Sequence, residues 1–176
     1  MINLSPLMSA PPVIQLHAAM ATLALVLGPF ALLRRRRDLR HKVLGYAWIT
    51  AMALTALSSF GIHAMPLIGP FGPIHALSVL TLGSLAYGLR AAIRGNLPAH
   101  RKTMQALYLG GLAAAGVFTL WPGRIMNRVL FADQPFLAFP VIALLAFGVL
   151  LMLARTRFKK GGRGSAFPLH IALRTR

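Results

Sequence analysis

Long apolar runs separated by short basic ones make up almost the whole chain. A helix needs roughly 20 mostly apolar residues to cross a bilayer core. Five segments meet that length, at about 12–33, 42–64, 73–93, 102–121 and 135–154. Pro11 and Pro12, Pro70 and Pro73, Pro98, and Pro135 stand at or near the expected helix starts. There a missing N–H costs least. The pattern predicts an all-α integral membrane protein, with one transmembrane domain over residues 1–155 and a basic tail over 156–176.

Composition agrees: 57% of the 176 residues are hydrophobic and 12% are charged, against about a quarter charged in soluble domains. The net charge of +17 would suit nucleic acid if it were spread over a polar surface. It is confined instead to blocks between apolar runs, where it sets topology and meets anionic lipid. RRRRDLRHK follows the first run, RAAIRGNLPAHRK the third and RTRFKKGGRG the fifth. The N-terminal stretch and MPLIGPFGP carry no Lys or Arg, and PGRIMNRVLFADQ carries two Arg. Positive-inside bias therefore predicts N-terminus out and C-terminus in the cytoplasm. Nucleic acid is not an expected partner; the lipid bilayer is. MINLSPLMSAPP lacks a basic n-region, so no removable signal peptide is expected.

The absence of cysteine excludes disulfides, iron–sulfur clusters and covalent c-type haem. The two acids, Asp38 and Asp133, lie outside the apolar runs, which argues against a relay of buried carboxylates. Chemistry is left to histidine. QLHAAMATLAL in the first run parallels PIHALSVLTLG in the third, and each following helix begins with histidine beside base, at His41-Lys42 and His100-Arg101-Lys102. This reads as two similar hairpins, parallel copies related by an axis along the membrane normal, forming a four-helix bundle from helices one to four.

On that topology His17 and His75 lie near the outer ends of spans one and three, and His41 and His100 at the cytoplasmic ends of spans two and four. Alternate helices of an up-down bundle are diagonal, so each pair is placed to hold one planar group. Neutral imidazole is the commonest side-chain metal ligand, and bis-imidazole ligation of haem suits electron transfer. The expectation is two b-type haems, ligated by His17 with His75 and by His41 with His100. Arg40, Lys42, Arg101 and Lys102 would face inner propionates and Arg124 outer ones. Gly45, Gly110, Gly111 and Gly116 would let a macrocycle approach the backbone. His63 lacks a counterpart in the second hairpin, and His170 falls in the tail.

Other readings stand beside this one. Histidines at helix ends also serve as interfacial hydrogen-bonders, with no cofactor. His17 with Met20, His63 with Met65, or His100 with Met104 would suit copper(I). The Arg34–Arg37 run reads as a topology signal. Tyr46, Trp48, Tyr108 and Trp121 read as interfacial aromatics.

HAAMATLALVLGPFALL, HKVLGYAW, GPIHALSVLTLG and HRKTMQALYLGGLAAAGVFTLWPGR resemble a bacterial family of predicted membrane proteins, domain of unknown function 2306, over roughly residues 15–130. HRKTM…PGR is the most specific block. The alternating-helix histidines are also similar to those of cytochrome b-561-type dihaem membrane proteins. That resemblance implies electron passage across the membrane between two haems. The chain departs from that family in having five expected spans rather than six and no counterpart of its reductant-binding motifs, against ascorbate as donor. The expected function is a transmembrane dihaem cytochrome with a quinone or a redox protein as partner, alone, as a homo-oligomer or as a subunit. The alternative is a non-catalytic accessory subunit or lipid- or quinone-binding bundle.

Overall fold

A computed structural model describes residues 2–34, 37–62, 69, 71–131, 134–144 and 146–147. The described chain is helical nearly throughout. Helix α1 (Ser5–Met8) leads into α2 (Pro12–Leu33), then α3 (Leu39–Ser58) with a 3-10 turn over Ser59–Gly61. Helices α4 (Pro73–Ile93) and α5 (Leu97–Ala106) follow; α5 runs on through a π turn (Leu107–Gly111) into α6 (Leu112–Leu120), and α7 spans Ile125–Phe131.

Four of these units are long and apolar enough to cross a membrane: Pro12–Leu33, Leu39–Gly61, Pro73–Ile93 and Leu97–Leu120. Of the expected fifth span, Pro135–Leu144 is an apolar helix, and 148–154 lie outside the described residues, as do the tail, His63, Met65, Asp133 and His170.

The second and fourth spans start earlier than the apolar runs alone indicate, at 39 rather than 42 and at 97 rather than 102. Capping explains both starts. The Asp38 carboxylate accepts the His41 backbone N–H at 3.0 Å, and the Asn96 side-chain amide oxygen accepts the Ala99 N–H at 3.2 Å. Each cap satisfies a donor that has no partner inside the helix. Pro98 falls in the first turn of α5, where its lost N–H is harmless. His41 and His100 are thereby drawn into first helical turns.

The spans pack in chain order, α2 on α3, α3 on α4 and α4 on α5, and α5 returns to α2. Small residues make the buried faces: Ala24, Gly28 and Ala31 on α2, Ala51 and Ala56 on α3, Ser78, Thr81, Gly88 and Ala91 on α4. With Trp48 and Met52 on α3 and Leu85 on α4, the buried positions recur mostly at intervals of three or four, which keeps each set on one helix face. Large side chains such as Leu25, Phe30, Leu57, Val79, Leu80 and Tyr87 are exposed instead. That distribution suits lipid, which offers no drive to bury leucine and rewards close backbone approach.

Trp48 and Tyr108 depart from the interfacial-belt expectation. Trp48 is buried and lies 6.5 Å, centroid to centroid, from Tyr108, which is half-buried and packs against the core from α5's π turn. Pro29 sits inside α2 and has no N–H for the carbonyl four residues back, that of Leu25. The Tyr108 hydroxyl donates to that carbonyl at 3.0 Å. Inside a bilayer an unpartnered carbonyl costs several kcal/mol, so this tyrosine repairs a break made on another helix. Tyr46 and Trp121 are exposed, as a belt position requires.

Candidate functional site

At the Arg-rich end the four spans leave a cavity of about 610 Å³, a size typical of sites for cofactors and small ligands. His41 from α3 and His100 from α5 both line it. Leu32, Ile49 and Leu89 supply apolar wall from the other directions, and Trp48 and Met104 lie deeper. Gly45 lines it too, and a Cβ there would meet nothing within 4 Å. The missing side chain is cavity volume.

The capping that starts α3 also organises the rim. Arg34 Nε donates to Asp38 at 2.9 Å, and its guanidinium makes a second contact with the same carboxylate. Arg34, followed by the His41 N–H, holds the Asp38 carboxyl well below the usual carboxylate range, and Asp38 in turn raises Arg34. Among the described residues this is the one ion pair.

His100 has a defined tautomer. Its Nδ1 lies 2.9 Å from the Gly88 carbonyl of α4. A carbonyl only accepts, so Nδ1 carries a proton, and in the neutral ring the lone pair is on Nε2. Metal-ligating histidines commonly use this same arrangement. Gly88 makes it reachable: a Cβ there would stand 2.1 Å from Met104 Cε and 3.2 Å from Thr103 Cγ2. The His41 ring neighbours His100 and bonds to the Ala31 backbone carbonyl on α2, and its Nδ1 is buried with no hydrogen-bond partner among the described residues. Trp48 Nε1 shares that condition. Buried polar groups are nearly always paired, and these two lie on the same cavity wall.

The other two histidines are elsewhere and differ from each other. His17 Nδ1 lies 3.1 Å from Ser58 Oγ, whose single proton goes to the Thr55 carbonyl at 3.0 Å. His75 Nδ1 accepts the Gly72 backbone N–H at 3.0 Å, so the neutral ring carries its proton on Nε2, the reverse of His100. Phe60 and Phe71 flank that ring, with centroids 5.7 and 5.3 Å away. Neither His17 nor His75 lines the cavity.

Among the basic residues, Lys42 and Arg101 line the cavity, whereas Arg40 and Lys102 are exposed off its lining. Arg124 lies in the turn between α6 and α7. Arg37 is on the lining and was hidden in the sequence, because a run of four arginines after a span looks like a topology signal throughout. Trp48 was likewise hidden among the aromatics. Its position seven residues after His41, two turns along the same face, was the available clue.

Comparison with known proteins supplies a family. Residues 14–157 match the family described as predicted membrane protein (DUF2306), and the chain belongs to it. No curated protein and no solved structure matches the chain.

Proposed function

We propose that this DUF2306 membrane protein is a b-type cytochrome that holds one haem at its Arg-rich end, between His41 and His100. One observation carries the reading: two histidines from different spans line a single apolar-walled cavity, and the Nδ1 of one donates to a backbone carbonyl, which leaves its Nε2 as the lone-pair nitrogen of the neutral ring. The residues suit the group. Imidazoles approach from α3 and α5, Gly45 leaves room between them, and cations stand at the mouth. Haem, when bound, supplies a one-electron iron couple, whose potential the protein sets through ligation, burial and hydrogen bonds.

The cationic end faces the cytoplasm on the positive-inside rule, in a bacterial inner membrane, with Pro135–Leu144 opening a fifth span that carries the basic tail back to that side. A haem held by His41 and His100 would lie close to the cytoplasmic surface, where a membrane quinone or a redox protein would be its electron partner.

The second haem, between His17 and His75, draws less from the geometry. The neutral His75 ring has its lone pair on Nδ1, facing the Gly72 N–H. Ligation there requires the ring to give up that bond, so the proposal is one haem per chain. A quinone-binding bundle is the second reading, favoured by the Trp48 N–H, for which a haem edge has no acceptor. Copper(I) draws on Met104 beside His100 on the lining.

Single alanine variants, expressed with haem supplied, test the assignment. His41→Ala and His100→Ala each lose bis-histidine haem while His75→Ala retains it. Equal haem content in all three variants would remove the site.

A further inference from the structure

We propose that Arg37, Lys42 and Arg101 form a clamp for two carboxylates at the cavity mouth. The ligand then enters with its acid groups on one edge toward the Arg-rich surface and its apolar edge toward Trp48 and Met104. The inference rests on the haem reading for the ligand's class, and is independent of iron ligation.

Charge along the cavity is divided by depth. Four cations line it, Arg34, Arg37, Lys42 and Arg101. The Asp38 carboxylate beside the lining is committed to Arg34, and among the described residues no acid is on the lining itself. Three positive charges therefore remain without a counter-ion on the lining. Helices α3 and α5 both begin here, at Leu39 and Leu97, so the positive ends of two helix dipoles add to the same field.

From His41 to Trp48 the wall runs ~10 Å along α3, and its deep residues, Trp48, Ile49 and Met104, bring no charge. Trp48 and Met104 are buried there and present an indole ring and a thioether to the deep end. A ligand with acids at both ends, or none, would leave either buried charge or unneutralised cations, each costly in low dielectric. A planar molecule with two carboxylates on one edge matches. Arginine can bind a carboxylate through two parallel N–H···O contacts, and lysine adds a point charge.

Metal-free protoporphyrin and its dimethyl ester test the clamp, because neither can be ligated by histidine. Fluorescence titration of the full chain in detergent is expected to show the diacid binding at least ~tenfold tighter than the diester. The difference should collapse in an Arg37→Gln/Arg101→Gln double variant, confirmed folded by circular dichroism, and persist in His41→Ala. Equal binding of the two porphyrins to the wild-type chain would overturn the clamp, as would a preference that survives the double variant. If the preference follows the arginines while iron protoporphyrin gives the same spectrum in wild type and His41→Ala, the clamp stands and histidine ligation falls.

Discussion

The Tyr108 ring occupies the space a side chain at Gly28 would need: a Cβ there would lie 2.0 Å from Tyr108 Cε2. The ring cannot retreat freely, because its hydroxyl is bonded to the Leu25 carbonyl that Pro29 leaves open. Gly28, Pro29, Leu25 and Tyr108 thus form one unit joining α2 to the π turn. Gly28→Ala should destabilise by about 1–3 kcal/mol through overpacking. Tyr108→Phe should cost a similar ~1–3 kcal/mol by stranding the carbonyl. Thermal unfolding in detergent checks both, and the double variant should fall short of the sum, because either change breaks the same contact.

Gly45 is the position where bulk should act on the ligand alone. Its Cβ direction is open and on the cavity lining. Gly45→Leu is expected to abolish haem and porphyrin binding while leaving the thermal midpoint equal or higher, since glycine in a helix interior costs about 0.5–1 kcal/mol relative to alanine. A variant that binds normally would show that the ligand does not pass Gly45.

Gly88 should affect His100 without touching the cavity charge. Met104 Cε can rotate away from a new Cβ, but Thr103 Cγ2 at 3.2 Å stands closer to the helix. Gly88→Val is therefore expected to push α5 from α4 and weaken the bond that fixes the His100 tautomer. Ligand exchange at the haem should quicken, with loss of low-spin character, read by absorbance after imidazole or carbon monoxide addition.

Asp38 links capping to pH. Its carboxyl lies below its ordinary value of about 3.9 when folded. The stabilisation it gives is therefore present above that ordinary value, and is lost as pH falls through the lowered folded value. Between pH 5 and 8 the wild-type midpoint should show no slope from this group. Asp38→Ala should lie below it throughout that range and converge only in strong acid. Asp38→Asn, which keeps an acceptor for the His41 N–H but not the charge, should fall between them.

Much of this was legible in the sequence because bilayer thickness sets a length and proline marks the starts. The four spans stand within a few residues of the apolar runs, and membership of the membrane-protein family agrees. The shifts at Leu39 and Leu97 arose from Asp38 and Asn96, local capping signals overshadowed by the basic residues after them. The cavity was half legible. His41, His100, Lys42, Gly45 and Arg101 follow from placing histidine-rich starts at one end of alternate helices. Arg37 and Trp48 do not, since arginine runs and aromatics near helix ends have common explanations that take no account of a neighbouring helix. The difference between His75 and His100 lies beyond sequence altogether: it depends on whether Nδ1 meets an N–H or a carbonyl.

The most direct test of the haem site is the oxidised and dithionite-reduced absorption spectrum of the purified chain, with haem quantified per protein. The account predicts a sharp reduced α-band and about one haem per chain, lost in His41→Ala. A folded, colourless protein after expression with haem supplied would contradict it.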